Sequence, residues 1–390
     1  MTTSIIITFC VLILLAYFFD ISSAKTRIPT VILLLLMGWA IRQLTVFFSI
    51  SIPDLTSILP VLGTVGLILI VLEGSLELEL NKTKLPLVKK AAIVSFFPLI
   101  VSGLLLAWLF SFYGGYDYKQ SLVNVLPFAI ISSAIAIPSA RNLNSYNREF
   151  ITYESSLSDI VGVIIFNFVA LNAVIDATAF LHFGWQLILI LVVSFFASVG
   201  LSYLLGRIQH HIKFIPIMVM VILIYMVSKI YHLPSLLFIL LFGVFLGNLD
   251  ELKQNKWIAK LRPDDLNKEV HKFREIATEA AFVIRTFFFL VFGYLIETSE
   301  LLNTDTLLWA GIVVAVIFIT RAIQLKIAGL PLFPLLFIAP RGLISILLFL
   351  SISQADKIDL VNNSLIIQVI ILTALIMMGG MMGVKKEIKP

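Results

Sequence analysis

The sequence has few charged residues and almost no cysteine. Only 13% of its 390 residues are Asp, Glu, Lys or Arg, whereas 60% are hydrophobic, and the mean hydropathy is +1.05. Soluble globular domains carry about 25% charged residues, so this composition indicates a chain that lies mostly in a lipid bilayer. The single cysteine, Cys10, lies in the first apolar stretch, which excludes a disulfide framework and a cysteine metal site.

Several motifs of known chemistry are also missing. The sequence contains no P-loop, no nucleophile elbow, no nucleotide-binding fingerprint and no His-Glu metal motif. These absences exclude ATP-driven transport and most membrane enzymes, so we expect neither an enzyme nor a bound cofactor. The first twenty residues lack the basic region and the cleavage site of a secretory signal, and we expect a retained first helix.

Long apolar runs separated by polar or Gly/Pro clusters predict an all-α polytopic membrane protein with about 13 transmembrane helices. The predicted limits are 3–19, 28–48, 55–74, 88–112, 122–140, 153–175, 183–206, 214–230, 233–249, 276–297, 305–325, 329–352 and 362–384. These spans leave no room for a sizeable soluble domain. We therefore predict a single transmembrane domain over residues 1–390.

The basic residues predict the orientation of the chain. Most of the 28 Lys and Arg residues, including Arg321, fall in odd-numbered loops or after the last span. Three lie in even-numbered loops, namely Lys119, Lys229 and Lys357. Because basic residues concentrate on the cytoplasmic side, we predict an outside N-terminus and a cytoplasmic C-terminus in the inner or plasma membrane.

Two predicted spans are interrupted by residues that weaken helices. One is the stretch from Phe128 to Pro138, and the other runs from Gly329 to Gly342. Their places in the two halves are those of an inverted repeat with discontinuous helices. We predict repeat one at about 1–176, a linker helix at about 183–206 and repeat two at about 214–384. The alternative is that these prolines only kink ordinary membrane helices.

Charged residues inside the membrane are costly and are functional candidates. Asp159 is the strongest candidate, because the predicted span in which it lies continues after it as a wholly apolar run. A poorly solvated carboxylate is neutralised either by a proton or by an alkali cation, and that competition is the chemistry of exchange. Oxygen atoms of Ser155, Glu73 and the carbonyls near Ser132 would complete the shell of a hard cation. The alternative is a structural hydrogen-bonding role for Asp159.

The remaining intramembrane charges are predicted to be mainly structural. Arg341 cannot lose its proton and needs an acidic or carbonyl partner, for which we choose Glu154. Glu73 is as consistent with a solvated helix end as with a ligand. Arg285 pairs with a carboxylate or extends to the surface, and Arg42 extends to the surface or caps a helix.

Four segments together resemble one family. Residues 154–159, Glu-Ser-Ser-Leu-Ser-Asp, resemble the Glu-Ser-Leu-x-Asn-Asp signature of sodium/proton antiporters of the monovalent cation:proton antiporter superfamily, and residues 340–345 resemble their Arg-Gly motif. Residues 287–293 and 72–78 match further patterns of the family. The resemblance covers nearly the whole chain. It implies a thirteen-helix antiporter fold with two crossed discontinuous helices, a homodimer, and a core that moves in an elevator-like alternation.

The resemblance also implies roles for individual residues. Asp159 would be the ion and proton carrier, and Glu154 and Arg341 would form a stabilising ion pair. The predicted monovalent cation site comprises Asp159, Ser155, Glu73, Ser158, Ser132 and Ser133.

Two departures from the family pattern bear on the choice of ion and on the stoichiometry. Ser158 replaces the Asn of the family, and residues 132–138 replace its Thr-Asp-Pro with a stretch closer to the potassium-efflux branch. The electrogenic branch carries acids at both 158 and 159, so the single acid here predicts electroneutral exchange.

The expected function is therefore secondary active exchange of Na+, K+ or Li+ for H+ by alternating access, in the service of pH homeostasis. The expected partners are these ions, membrane lipid and a second copy of the chain, with no nucleic acid. Three alternatives remain open: a potassium-efflux-type antiporter, a regulated cation channel, and a sodium-coupled symporter of an organic solute. The symporter needs a roomy polar cavity, and the sequence offers few polar residues to line one.

Overall fold

The computed structural model describes residues 2–26, 28–50, 54–78, 83–172, 174–208, 210, 212–252 and 263–383. The regular secondary structure in these ranges is entirely helical. The α-helices are α1 Thr2–Thr26, α2 Thr30–Phe47, α3 Leu59–Leu76, α4 Leu85–Gly114, α5 Tyr118–Ala129, α6 Ser133–Ser139, α7 Ser145–Leu171, α8 Ala177–Arg207, α9 Phe214–Ile230, α10 Ser235–Gly247, α11 Leu249–Leu252, α12 Pro263–Leu295, α13 Thr298–Leu301, α14 Thr304–Ile327, α15 Leu343–Ser351 and α16 Asn363–Met382.

Many of these helices have the length and the composition of membrane spans. Within the described ranges, nine stretches qualify: Thr30–Phe47, Leu59–Leu76, Leu85–Gly114, Tyr118–Ser139, Ser145–Leu171, Ala177–Arg207, Leu266–Leu295, Thr304–Ile327 and Asn363–Met382. Shorter apolar helices cover Cys10–Ser22, Phe214–Ile230 and Ser235–Gly247. The predicted all-α polytopic membrane fold is confirmed, while the number of crossings stays a prediction.

Helices α7 and α12 begin at least eight residues earlier than hydropathy indicates. Helix α7 starts at Ser145 rather than at 153, because the side chain of Asn144 accepts the N–H of Asn147 at 2.8 Å and caps its first turn. Helix α12 starts at Pro263 rather than at 276. At 1.5 Å per residue, Asp159 therefore lies about 20 Å along α7 from its start.

Glycines allow two of the long helices to approach closely. Helix α12 packs along α2 and α3, and α10 packs on α3. A Cβ atom added at Gly293 of α12 would overlap the backbone carbonyl of Leu35, and one at Gly38 of α2 would overlap that of Leu290. Small residues at membrane helix contacts permit such backbone approach, so α2 and α12 form one closely packed unit.

Both predicted interruptions are present, and they contact each other. The first span breaks between α5 and α6, at residues 130–132. The second has turns and extended backbone over 330–342 before α15 begins. The N–H of Ser132 donates to the carbonyl of Pro340 at 2.9 Å, and the hydroxyl of Ser345 donates to the carbonyl of Pro127 at 2.7 Å. The inverted-repeat relation and its boundaries remain predictions.

Candidate ion-binding site

Asp159 lies on α7 and faces the break between α5 and α6. The residue is only 1% exposed. Its Oδ2 accepts the backbone N–H of Ser133 at 3.2 Å and also the hydroxyl of Ser133. Ser133 is the first residue of α6, and the unpaired N–H groups at a helix start stabilise negative charge. The break in the first span therefore creates the environment that holds this carboxylate.

The other oxygen of Asp159 has no partner among the described residues. Oδ1 is buried and accepts no hydrogen bond, and the buried hydroxyls of Ser132 and Ser156 are in the same condition. Ser132 precedes Ser133, and Ser156 lies one helical turn before Asp159 on α7. Unpaired buried polar atoms are costly, so the free carboxylate oxygen of Asp159 indicates a place for a ligand. Oxygen atoms are the ligands that hard monovalent cations take.

A cavity of about 440 Å³ reaches Ser133 from one end of the molecule. The partly buried Glu73, in the last turn of α3, lines it together with Arg285, while Glu77 and Arg141 are exposed at its mouth. The other charged lining residues are Lys84, Arg148, Glu149 and Arg274. Glu73 thus borders the path towards Asp159, a position that both of its predicted roles allow.

Ser155 and Ser158 make different contacts. The hydroxyl of Ser158 accepts the N–H of Ile131 at 3.0 Å, so it holds α7 against the break in the first span. The hydroxyl of Ser155 donates to the carbonyl of Ile151 at 2.7 Å, one turn earlier in the same helix. Ser158 therefore shapes the site through the backbone, and Ser155 is bonded within α7.

The predicted ion pair between Glu154 and Arg341 is wrong. Glu154 instead pairs with Arg321 of α14, Nη1 to Oε1 at 2.7 Å and Nη2 to Oε2 at 2.9 Å, and both side chains are buried. The Nε of Arg321 also donates to the carbonyl of Leu335 at 2.9 Å. The forked guanidinium matches both carboxylate oxygens, so this pair joins α7, α14 and the second interrupted segment.

Arg341 binds backbone carbonyls. Its Nε donates to Phe128 at 2.5 Å, Nη1 to Ala339 at 2.7 Å, and Nη2 to Ala129 at 3.5 Å. Phe128 and Ala129 are the last two residues of α5, whose terminal carbonyls have no partner within the helix. Arg341 is buried and places a positive charge at the negative end of that helix dipole. It therefore stabilises the first broken span as a cap.

Residues 10–383 match the sequence model of the family described as "Sodium/hydrogen exchanger, transmembrane". The chain belongs to the sodium/hydrogen exchanger family. Two solved structures of the sodium proton antiporter MjNhaP1 from Methanocaldococcus jannaschii resemble it at 17% identity and a TM-score of 0.71. The structure at pH 8 covers 97% of this chain and 99% of its own, and the electron-microscopy structure covers 100% of both. Among curated protein sequences, none matches this chain.

The family identity fixes the general class of this exchanger. It is a multi-pass membrane transporter for cations and protons, and its family is one of transporters and not of enzymes. The resemblance to solved structures shows the same fold.

The other two arginines predicted to lie in the membrane are Arg42 and Arg285. The guanidinium of Arg42 donates to the carbonyl of Leu295, the last residue of α12, at 3.1 Å, and contacts Glu297 at 2.8 Å. It is thus a helix cap, one of the two roles predicted. Arg285 lines the cavity beside Glu73, and neither makes an ion pair within 4 Å in the described part of the chain.

Arg321 was missed by the sequence analysis because it was counted in a loop. It lies within the apolar run at residues 316–325 and is buried. The signal that would have found it is its depth, since several apolar residues follow it before the helix ends. A basic residue at such a depth requires a buried partner.

Proposed function

We propose that this exchanger swaps a monovalent metal cation, Na+, K+ or Li+, for H+ at the carboxylate of Asp159. The observation that carries the proposal is that only one of the two carboxylate oxygens accepts hydrogen bonds from the described residues. Ser133 donates to Oδ2, while Oδ1 is buried without a partner among the described residues. A proton and an alkali cation both satisfy this oxygen, and they compete for it because each neutralises the same charge.

The exchange would be electroneutral, one cation for one proton. Position 158 carries a serine whose hydroxyl accepts the N–H of Ile131, so a single acid faces the break. One negative charge accommodates one positive charge at a time. Proteoliposomes with equal pH on both sides should then show cation exchange without an electrical current, and a current that depends on the protein would contradict this stoichiometry.

Access to the site would alternate between the two sides of the membrane. The cavity reaches Ser133 from the end where Arg141 lies. At the other end of the broken span, the amide of Asn124 donates to the carbonyl of Asp356 at 2.6 Å and that of Gln120 to Ala355 at 3.1 Å. These hydrogen bonds close that end, so release on the far side would require them to separate.

We further propose that the exchanger lies in the cell membrane as a homodimer, with an outside N-terminus and a cytoplasmic C-terminus, and contributes to pH homeostasis. The distribution of Lys and Arg supports this orientation. The predicted cytoplasmic residues 384–390 lie outside the described residues. Protease access to tags at either end in sealed vesicles tests the orientation, and cross-linking in the membrane tests the dimer.

The decisive experiment measures cation-driven release of protons from acidified vesicles containing wild-type protein or Asp159→Asn. We expect the variant to lose exchange with every alkali cation, because a side-chain amide has neither a negative charge nor a titratable proton. Asp176→Asn is the matched control, since Asp176 is an exposed cap of α8, and it should keep wild-type rates. Exchange that persists in the Asp159 variant would end the proposal.

Potassium is the second candidate for the transported cation. The stretch Ser132–Pro138, which replaces the Thr-Asp-Pro of sodium/proton antiporters, favours it. Titrating Na+, K+ and Li+ in the vesicle assay ranks the three apparent affinities. The same assay distinguishes a channel, for which flux would rise linearly with concentration and need no counter-ion.

A further inference from the structure

A second cavity lies away from the ion site, on the outer face of α4 and α14. This groove has a volume of about 730 Å³, and its walls are mostly apolar. Five exposed large hydrophobic side chains line it, namely Ile93, Phe97, Val101, Ile323 and Ile327. Because both helices qualify as membrane spans, their exposed apolar faces border lipid. The groove is therefore a concave, lipid-facing surface.

One end of the groove is basic. Lys89 and Lys90 belong to its lining, and neither makes an ion pair or a hydrogen bond with any residue in the described ranges. Lys84, immediately before α4, is instead paired with Glu149 at 3.3 Å. The two lysines thus leave two positive charges uncompensated where the groove reaches the predicted cytoplasmic end of the helices. An anionic group is the complement of that end.

A polar group is also present inside the groove. Pro98 has no N–H, so the carbonyl of Val94 lacks its partner within α4. The amide of Gln324 donates to this carbonyl at 2.8 Å and ties α14 to α4. Its Oε1 remains buried without a partner in the part of the chain that the structure describes. Val94 lies about one turn after Lys90, about 6 Å further along α4.

We propose that this groove binds one anionic phospholipid, with its phosphate at Lys89 and Lys90 and an acyl chain along the apolar wall. Basic pockets between membrane helices on the cytoplasmic side recognise anionic headgroups. The apolar wall of the groove distinguishes this site from a site for a free anion, because a free anion would need only the two lysines.

The bound lipid would connect two helices that support the ion site. Helix α4 packs on α5 and α7, and the groove residues Thr320 and Gln324 flank Arg321, which holds Glu154. A lipid between α4 and α14 would therefore stabilise, from the lipid-facing side, the packing of the helices that support the ion site. This inference does not depend on which cation is exchanged.

The test measures lipid binding by the purified full-length exchanger in detergent, using native mass spectrometry with phosphatidylglycerol and phosphatidylcholine of equal chain length. Wild type should bind phosphatidylglycerol preferentially. Lys89→Gln/Lys90→Gln should weaken that binding roughly thirtyfold, since each basic residue near a headgroup contributes about fivefold. The control Lys268→Gln/Lys272→Gln removes the same charge from exposed positions of α12 and should leave binding unchanged.

A second variant tests the apolar part of the site. Ile323→Trp fills the groove without changing charge and should also weaken phosphatidylglycerol binding, while thermal stability in lipid-free detergent shows that the variant is folded. The proposal is overturned if Lys89→Gln/Lys90→Gln and Lys268→Gln/Lys272→Gln weaken phosphatidylglycerol binding equally. It is overturned as well if phosphatidylcholine binds to the wild type as tightly as phosphatidylglycerol. It is also overturned if inorganic phosphate competes fully and Ile323→Trp has no effect, because the site would then hold a free anion.

Discussion

Glu154 and Arg321 form a buried bidentate ion pair, and replacing either one alone should destabilise the exchanger more than replacing both. Their side chains are 1% and 3% exposed. Glu154→Met would leave a guanidinium that cannot lose its proton and has only the carbonyl of Leu335 as a partner. Arg321→Met would leave a buried carboxylate without its charge partner.

The expected magnitudes follow from this burial. Removing one partner of a buried ion pair costs about 3 to 5 kcal/mol, whereas replacing both partners with apolar side chains of similar volume is often neutral. The double variant Glu154→Met/Arg321→Met should therefore be more stable than either single variant, with a coupling energy of at least ~2 kcal/mol. Arg341 provides the comparison, because its guanidinium donates to carbonyls of Phe128 and Ala339.

Equilibrium unfolding in mixed detergent micelles, followed by tryptophan fluorescence, measures the four free energies of each double-mutant cycle. The cycle of Glu154 with Arg321 should give the large coupling, and that of Glu154 with Arg341 should give less than ~1 kcal/mol. Two results would refute the reasoning. One is a cost below ~1 kcal/mol for both single variants, and the other is a larger coupling of Glu154 to Arg341 than to Arg321.

Two further predictions concern the ion site and helix packing. Ser133→Ala removes one of the two donors to Asp159. A hydrogen bond to a charged group contributes about 1.5 to 3 kcal/mol, so the apparent cation affinity in vesicles should change roughly tenfold or more. Ser133→Thr keeps a hydroxyl and should restore the wild-type affinity. Gly293→Ala would push a Cβ atom into the backbone of Leu35 and lower the midpoint of thermal unfolding, whereas Gly311→Ala, with open space around it, should leave the midpoint unchanged or raise it. Equal midpoints for the two alanine variants would count against close packing of α2 on α12.

The features that the sequence predicted correctly depend on local composition. Apolar runs locate helices because the bilayer requires about 20 such residues, and prolines locate the interruption near Pro340 because they cannot continue a helical hydrogen-bond ladder. The burial of Asp159 was predicted in the same way, from one acid in an apolar stretch. These inferences need no knowledge of which helices are neighbours.

The partners of the charged residues could not be predicted in that way. Glu154 had two arginines available, and the choice depends on how α14 and the second interrupted segment pack around α7. The sorting of basic residues also counted Arg321 in a loop, although it lies near the end of the predicted span 305–325. The donor role of Ser133 was equally hidden, since a serine holds a carboxylate at a helix start only once the break before it has formed.

The break in the first span gives a physical reason for the proposed exchange of one charge at a time. An interrupted helix exposes a negative end, here the carbonyls of α5, and a positive end, here the N–H groups of α6. Arg341 compensates the first at Phe128, and Asp159 compensates the second at Ser133. Each end of the break therefore has its own counter-charge within the protein. Asp159 keeps one further buried oxygen without a partner among the described residues, and in the proposed exchange a single positive charge, a proton or an alkali cation, binds there.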